Sequence, residues 1–332
     1  MTADILSSDH KNPELHSRRS GYIRDVRFVQ SDYSFREGGF MNVVLFGLGS
    51  MGFSIALNML KGGHKVWGVD VDADKVAALV AQGGEPTVYS DHLADIDAVV
   101  LTVVNEAQVT SVMFDDPRFC DQLHEQSIII CLSTVSPEFA KETEQKLHNK
   151  NLTYLDCPMS GAAARAKSGE LTLMVSGNEN AIARVKGIFD SISANVFNLG
   201  PEAGLGSAMK ATNQLLAGVH IMAMAEAMAF GRSQGISFER FMEVIPKCAG
   251  TSWILENRAP TILSGDYTPK STVDIWPKDL GIIQKIAEGT GQNIPITLAA
   301  LQRYNDAIAG GLASEDDAAV VKTYLNELGI ED

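Results

Sequence analysis

"MNVVLFGLGSMG", residues 41–52, decides the reading of this chain. Its apolar run 42–46 has the length and composition of a strand buried on both faces. The run meets a turn with glycine at positions 47, 49 and 52. "FSIALNMLKGG" (53–63) then shows helical spacing and closes on Gly62 and Gly63. A second apolar run, "KVWGVD" (65–70), ends on an acid. Strand, glycine turn, helix, strand and terminal carboxylate follow in the order of a dinucleotide-binding unit.

Each part has a physical task. Gly47 permits the tight turn, Gly49 lets the backbone approach a pyrophosphate, and Gly52 lets helix and strand pack closely. Leu48, Ser50 and Met51 complete the turn, and the helix start offers free N–H groups and a positive dipole to phosphates. Asp70, 23 residues after Gly47, stands where a carboxylate accepts the hydroxyls of an adenosine ribose. A 2′-phosphate there would meet like charge from Asp70, Asp72 and Asp74, with no arginine near in sequence. Lys75 is expected to face solvent on the next helix. NAD is therefore expected over NADP.

The alternation continues. "AVVLTVV" (98–104), "SIIICLS" (127–133), "NLTYLD" (151–156), "LTLMVSG" (171–177) and "ANVFNLG" (194–200) read as further strands of the sheet. Val104, Asn105, Ser133 and Thr134 fall at or just beyond carboxyl ends of strands, where open α/β sheets collect ligands. Asn105 taken alone reads as an ordinary cap. "DCPMSG" (156–161) ends a strand on a proline and a small hydroxyl residue before glycine, so its backbone N–H groups can face a ligand.

After Pro201 the strands stop, and one helical pattern rich in Ala, Met and Leu runs from Gly204 to Gly235. Such a helix, apolar nearly all round, is expected to lie buried between domains or subunits. Its polar residues are therefore informative. Lys210, Asn213 and Gln214 share one face. A buried lysine is costly unless paired or used; the alternative is a structural lysine reaching solvent along its apolar stem. His220, on the same side, reads as a packed, hydrogen-bonded core residue. Met209, Met222, Met224 and Met228 read as core filler. "WPKDL" (276–280) brings Lys278 and Asp279 to the start of another helical stretch.

The totals narrow the classes. A chain of 332 residues, 45% apolar, has room for two domains. A formal charge of −14 argues against nucleic acid or an anionic membrane as partner. Cys120, Cys131, Cys157 and Cys248 form no C-x-x-C pair and no metal spacing, which fits a reducing cytosol. No apolar run of about 18 residues reads as a span, and no apolar signal core opens the chain. A cytoplasmic protein is expected.

Residues 1–40 carry scattered charges and no sustained period. They read as a disordered tail, and less well as a targeting peptide because acids are frequent in them. A third reading starts the protein at Met41. The codons for Glu37, Gly38 and Gly39 can spell a purine-rich ribosome-binding sequence at a suitable distance. The segment is expected to be dispensable.

GLGSMG, DCPMSGA, GLGSAMKATNQ and PKDLG stand in the order of the β-hydroxyacid dehydrogenases, relatives of 3-hydroxyisobutyrate dehydrogenase and tartronate semialdehyde reductase. The chain resembles this family over about residues 41–330. The resemblance implies an α/β fold: a Rossmann-type NAD-binding domain over 41–202, then an all-helical substrate and oligomerisation domain over 203–330, joined by a long interdomain helix. It also implies a homodimer or homotetramer. Lys210 matches the family's catalytic lysine. Ser160 and Gly161 match its substrate-carboxylate motif, with Ala162 where many members have another glycine. Asn213 matches the asparagine that follows the lysine, and Gln214 stands where a second asparagine is frequent. Lys278 matches the lysine near nicotinamide and substrate, and Thr134 the residue by the nicotinamide ribose.

The stretches 213–229 and 256–282 look closest to the L-threonate dehydrogenase branch, whose substrate is a four-carbon sugar acid. That branch often has histidine where Asn213 stands. The rival readings are a tartronate semialdehyde reductase, a 3-hydroxyisobutyrate dehydrogenase, and oxidative decarboxylation as in 6-phosphogluconate dehydrogenases. No arginine cluster for a substrate phosphate supports the last. Imine reductases share the architecture but lack the lysine. A nucleotide-binding module without turnover is disfavoured because Lys210, Asn213 and Lys278 are all present.

Overall fold

A computed structural model describes residues 39–86 and 89–330. Residues 1–38, and with them nearly all of the segment expected to be dispensable, lie outside the described residues.

Among the described residues, eight strands form the sheet: β1 (Asn42–Phe46), β2 (Lys65–Val69), β3 (Ala98–Leu101), β4 (Ile128–Cys131), β5 (Thr153–Asp156), β6 (Met159–Ser160), β7 (Leu171–Gly177) and β8 (Ser193–Asn198). Their order is β2-β1-β3-β4-β5-β7-β6, with β8 beside β7. The first five run parallel, with Val43 opposite both Val66 and Ala98. From β1 the chain turns to one side to form β2 and later returns on the other side as β3. A crevice therefore opens at the carboxyl ends of β1 and β3, the switch point where such sheets take ligands. Side chains of β1 feed two cores: Val43 and Leu45 on one face, Val44 and Phe46 on the other. That double burial is why the strand reads as an unbroken apolar run.

Beyond β5 the sheet departs from simple alternation. β7 lies antiparallel to β5, and the two-residue β6, which no periodicity announces, pairs with it. β8 returns parallel to β7.

The long helix spans Leu205–Ser233 and opens at Gly204, whose φ is +97°. Ile221, Met222, Met224, Ala225 and Met228 enter a third core with Trp276, Leu280 and Tyr304. Gly218 lets the helices approach closely: a Cβ there would stand 3.0 Å from the Trp276 ring and from the Leu280 side chain, which would have to shift. Helices Trp253–Ser264, Ile275–Thr290, Pro295–Ala309 and Val321–Leu328 gather round this one. By length and apolar content it would also pass for a membrane span, but half of its most apolar window is buried as the hub of the helical part. Met209 corrects the sequence reading: it is 47% exposed, on an outward stripe with Leu205 and Leu216, and fills no core. His220 is only half-buried.

One carboxylate pins this helix to the sheet. Asp156, the last residue of β5, is fully buried. It accepts from the backbone N–H groups of Gly204 (2.9 Å) and Ser207 (2.8 Å), and from the hydroxyls of Ser207 (2.6 Å) and Ser176 (3.3 Å). The two N–H groups are otherwise unpaired donors of a helix start, and a negative charge suits that end of the dipole. Burial pushes the Asp156 carboxyl up, and the donors oppose that rise.

Candidate active site

The glycine turn closes as its spacing requires. Gly47 has φ +98°, and its N–H donates to Val69 O at 2.8 Å. A Cβ on Gly52 would stand 1.8 Å from Gly47 O, so no side chain fits, whereas Gly49 faces open space. Asp70 holds the turn directly. Its Oδ2 accepts from Leu48 N at 2.6 Å and its Oδ1 from Asp72 N at 2.9 Å. Ser50 is exposed and Met51 half-buried at the start of the helix. Lys75 stands on the next helix with its side chain 44% exposed, yet it also leans toward the acids. Its ammonium lies 3.9 Å from Asp70 and 3.6 Å from Asp72, drawn by the two carboxylates that precede the helix.

Across the crevice, Val104 is exposed, and its N–H donates to Gln108 Oε1 at 2.8 Å. Asn105 caps the following helix, its Oδ1 accepting from Gln108 N at 2.9 Å. Ser133 turns inward to Val103 O at 2.7 Å, tying the ends of β3 and β4 together, while Thr134 beyond it is half-buried.

The helical part reaches this edge through two lysines. Lys278, near the start of Ile275–Thr290, donates to Val104 O at 2.9 Å. Its ammonium also pairs with Asp279 Oδ1 at 3.0 Å. Lys210 lies on the turn after Ser207, the residue held by Asp156, and is 8% exposed. It donates to Gln214 Oε1 at 2.8 Å, an oxygen that also accepts from Asn213 Nδ2 at 3.0 Å. Gln214 Nε2 in turn donates to Asp279 Oδ2 at 2.6 Å. Burial lowers the Lys210 pKa from 10.5 to about 8; Asp279 raises it and Lys278 lowers it further. Near neutral pH such an amine exchanges protons readily.

The segment after β5 leaves the same carboxyl edge. Ser160 ends β6 opposite Thr172. Gly161 follows at φ +135°, and Ala162 at φ +57°, a left-handed conformation rare for a residue with a side chain. A glycine would adopt it freely.

Sequence reasoning gave Asp156 no role and left the partner of Asp279 unread. Asp156 carries a readable signal, an acid closing an otherwise apolar strand. Asp279 was visible beside Lys278, yet its link to Gln214 crosses 65 residues and only packing reveals it.

Residues 42–200 match the family described as the NAD binding domain of 6-phosphogluconate dehydrogenase. Residues 204–324 match that described as the NAD-binding of NADP-dependent 3-hydroxyisobutyrate dehydrogenase. An L-threonate dehydrogenase from Pectobacterium atrosepticum is 39% identical, over 85% of this chain and 93% of its own. The chain belongs to the 3-hydroxyisobutyrate dehydrogenase-like family. It is an enzyme of the NAD(P)-dependent hydroxyacid dehydrogenases. The L-threonate dehydrogenase of Cupriavidus necator is 40% identical over 85% of this chain and 96% of its own. A crystal structure described as 3-hydroxyisobutyrate dehydrogenase from Salmonella typhimurium has a TM-score of 0.79 at 39% identity, covering 85% of this chain and 99% of the other. The α/β domain followed by an all-helical part, expected from the resemblance, is the fold of this family member.

Proposed function

We propose that this enzyme oxidises L-threonate, or a close four-carbon aldonate, with NAD. The observation that carries the reading is Lys210: a buried amine whose pKa of about 8 suits proton exchange, beside further polar groups that a polyhydroxylated acid would need. The relatives described as L-threonate dehydrogenases, at 39 and 40% identity, support the substrate class.

NAD would sit against the turn Gly47–Gly52, where the exclusion of a Cβ at Gly52 and the open face of Gly49 fit a pyrophosphate approach. When bound it supplies the hydride acceptor. Asp70 would receive the adenosine ribose, and its negative charge disfavours a 2′-phosphate. Lys75 weakens that discrimination without abolishing it, since it is itself shared with Asp72. Val104, Asn105 and Thr134 border the crevice on the nicotinamide side. Lys210, neutral, takes the proton from the substrate hydroxyl as the hydride leaves the same carbon. In the reverse direction its ammonium polarises the carbonyl. Ser160 and the backbone of Gly161 and Ala162 hold the carboxylate, while Asn213, Gln214 and Lys278 orient the remaining oxygens.

The second reading, a 3-hydroxyisobutyrate dehydrogenase, is favoured by the Salmonella typhimurium structure at equal identity. Comparison of kcat/KM for L-threonate and 3-hydroxyisobutyrate, and for tartronate semialdehyde in reverse, tests the two. A higher value for L-threonate is expected, and a higher value for either rival transfers the assignment. A homodimer or homotetramer is supported by the outward apolar stripe of the long helix, where Phe230 is 67% exposed. The buried free thiols of Cys120, Cys131 and Cys157 suit a reducing, cytoplasmic setting.

A further inference from the structure

Among the described residues, the Lys210 amine touches no carboxylate. Its hydrogen-bond acceptor is the neutral amide oxygen of Gln214, and the other end of that amide donates to Asp279 Oδ2 at 2.6 Å. Asp279 is 3% exposed, and its second oxygen is 3.0 Å from the Lys278 ammonium. The charge of Asp279 is thus shared between a direct ion pair with Lys278 and an indirect contact with Lys210.

We propose that Asp279 is a positioning residue for the reaction: acting through the Gln214 amide, it fixes where the Lys210 amine points and how readily that amine gives up its proton. The geometry has two consequences. First, an amide held at both ends has one orientation, because Nε2 must face the carboxylate and Oε1 must therefore face the lysine. Asn213 Nδ2 donates to the same Oε1 at 3.0 Å and reinforces that choice. Second, the amide keeps the carboxylate from direct contact with the amine. A Lys–Asp contact in this buried setting would hold the proton on the amine, since an adjacent opposite charge favours the charged form. With the spacer in place, burial still dominates and Lys210 titrates at about 8. The charged groups acting on the amine are Asp279, which favours the proton, and Lys278, which opposes it; Asn213 and Gln214 on its own helix are neutral.

This proposal rests on the acid–base role of Lys210, but its test does not require turnover. The Lys210 titration is read in the cofactor-free protein by NMR of 13C-labelled lysine, with the signal identified by its loss in Lys210→Met. Asp279→Asn keeps an oxygen for the Gln214 amide and removes the charge. It is expected to move the Lys210 midpoint down by roughly 0.5 to 1 pH unit, and Gln214→Glu to move it up by at least as much, toward the ordinary lysine range. In the oxidation direction the acid limb of the kcat/KM profile, where Lys210 becomes protonated, follows the same two directions. A midpoint unchanged in both folded variants overturns the proposal, as does a shift of the same sign in both. Failure of the acid–base reading looks different: Lys210→Met would turn over normally while the NMR midpoints still moved.

Discussion

The Asp70 carboxylate accepts a hydrogen bond from the Leu48 backbone N–H at 2.6 Å. The acid that ends β2 therefore shapes the glycine turn that ends β1, besides facing the crevice. Substitution at Asp70 changes two things at once. Removal of the carboxylate leaves the buried Leu48 N–H without its partner, at a cost of about 1 to 3 kcal/mol.

Wild-type enzyme is expected to prefer NAD over NADP in kcat/KM. Asp70→Ser with Val71→Arg should reverse the order while weakening both cofactors, because the turn loses its anchor. Equal use of NAD and NADP by the wild type would show that this carboxylate does not discriminate.

Asp156 provides the corresponding anchor for the long helix. Asp156→Ala strands the N–H groups of Gly204 and Ser207 inside the protein, and urea unfolding should show a loss of about 2 to 4 kcal/mol. Turnover should fall as well, since Lys210 rides on the turn after Ser207. A stability change within 0.5 kcal/mol, roughly the scatter of surface substitutions, would mean that the helix start is held elsewhere.

The fold was legible because its signals are local. An apolar strand, a glycine turn and a terminal acid lie within 30 residues, 41–70, and their order admits few arrangements. The long helix announced itself by composition. Its exposed stripe did not, since Met209 and Met222 look alike in sequence and differ only in what faces them. The Lys210–Gln214 contact falls within one helical turn and was readable as a shared face. The reach to Asp279, and from Lys278 to Val104 O across 174 residues, depends on how two distant segments pack. Lys75 illustrates the same limit: helical position did not reveal that its flexible stem would fold back toward Asp70.

A chain beginning at Met41 should fold and turn over like the full chain. Met41 is already buried, with its N–H 3.2 Å from His64 Nδ1, and residues matched to the family begin at 42. Thermal unfolding and kcat/KM of the two chains check this. A lowered Tm or lost activity in the shorter chain would assign residues 1–40 a structural task.

The Lys210→Met variant carries a stability signature set by the sign of the pKa shift. The folded protein binds the Lys210 proton more weakly than the unfolded chain, with values of about 8 against 10.5. The cost of burying the charge is therefore complete below pH 8 and disappears as pH rises toward 10.5. Methionine removes that cost. The variant should be more stable than wild type at pH 7, by about 2 to 3 kcal/mol after allowance for the lost Gln214 contact. The gap should close by pH 10.5.

Turnover of that same variant tests the central claim most directly. The measurement is kcat of Lys210→Met at saturating NAD and hydroxy acid, beside its affinity for NAD. The account predicts a fall of roughly 10² to 10⁴ in kcat, with cofactor affinity close to wild type, because the glycine turn and Asp70 are untouched. A folded Lys210→Met protein with near wild-type kcat would contradict it.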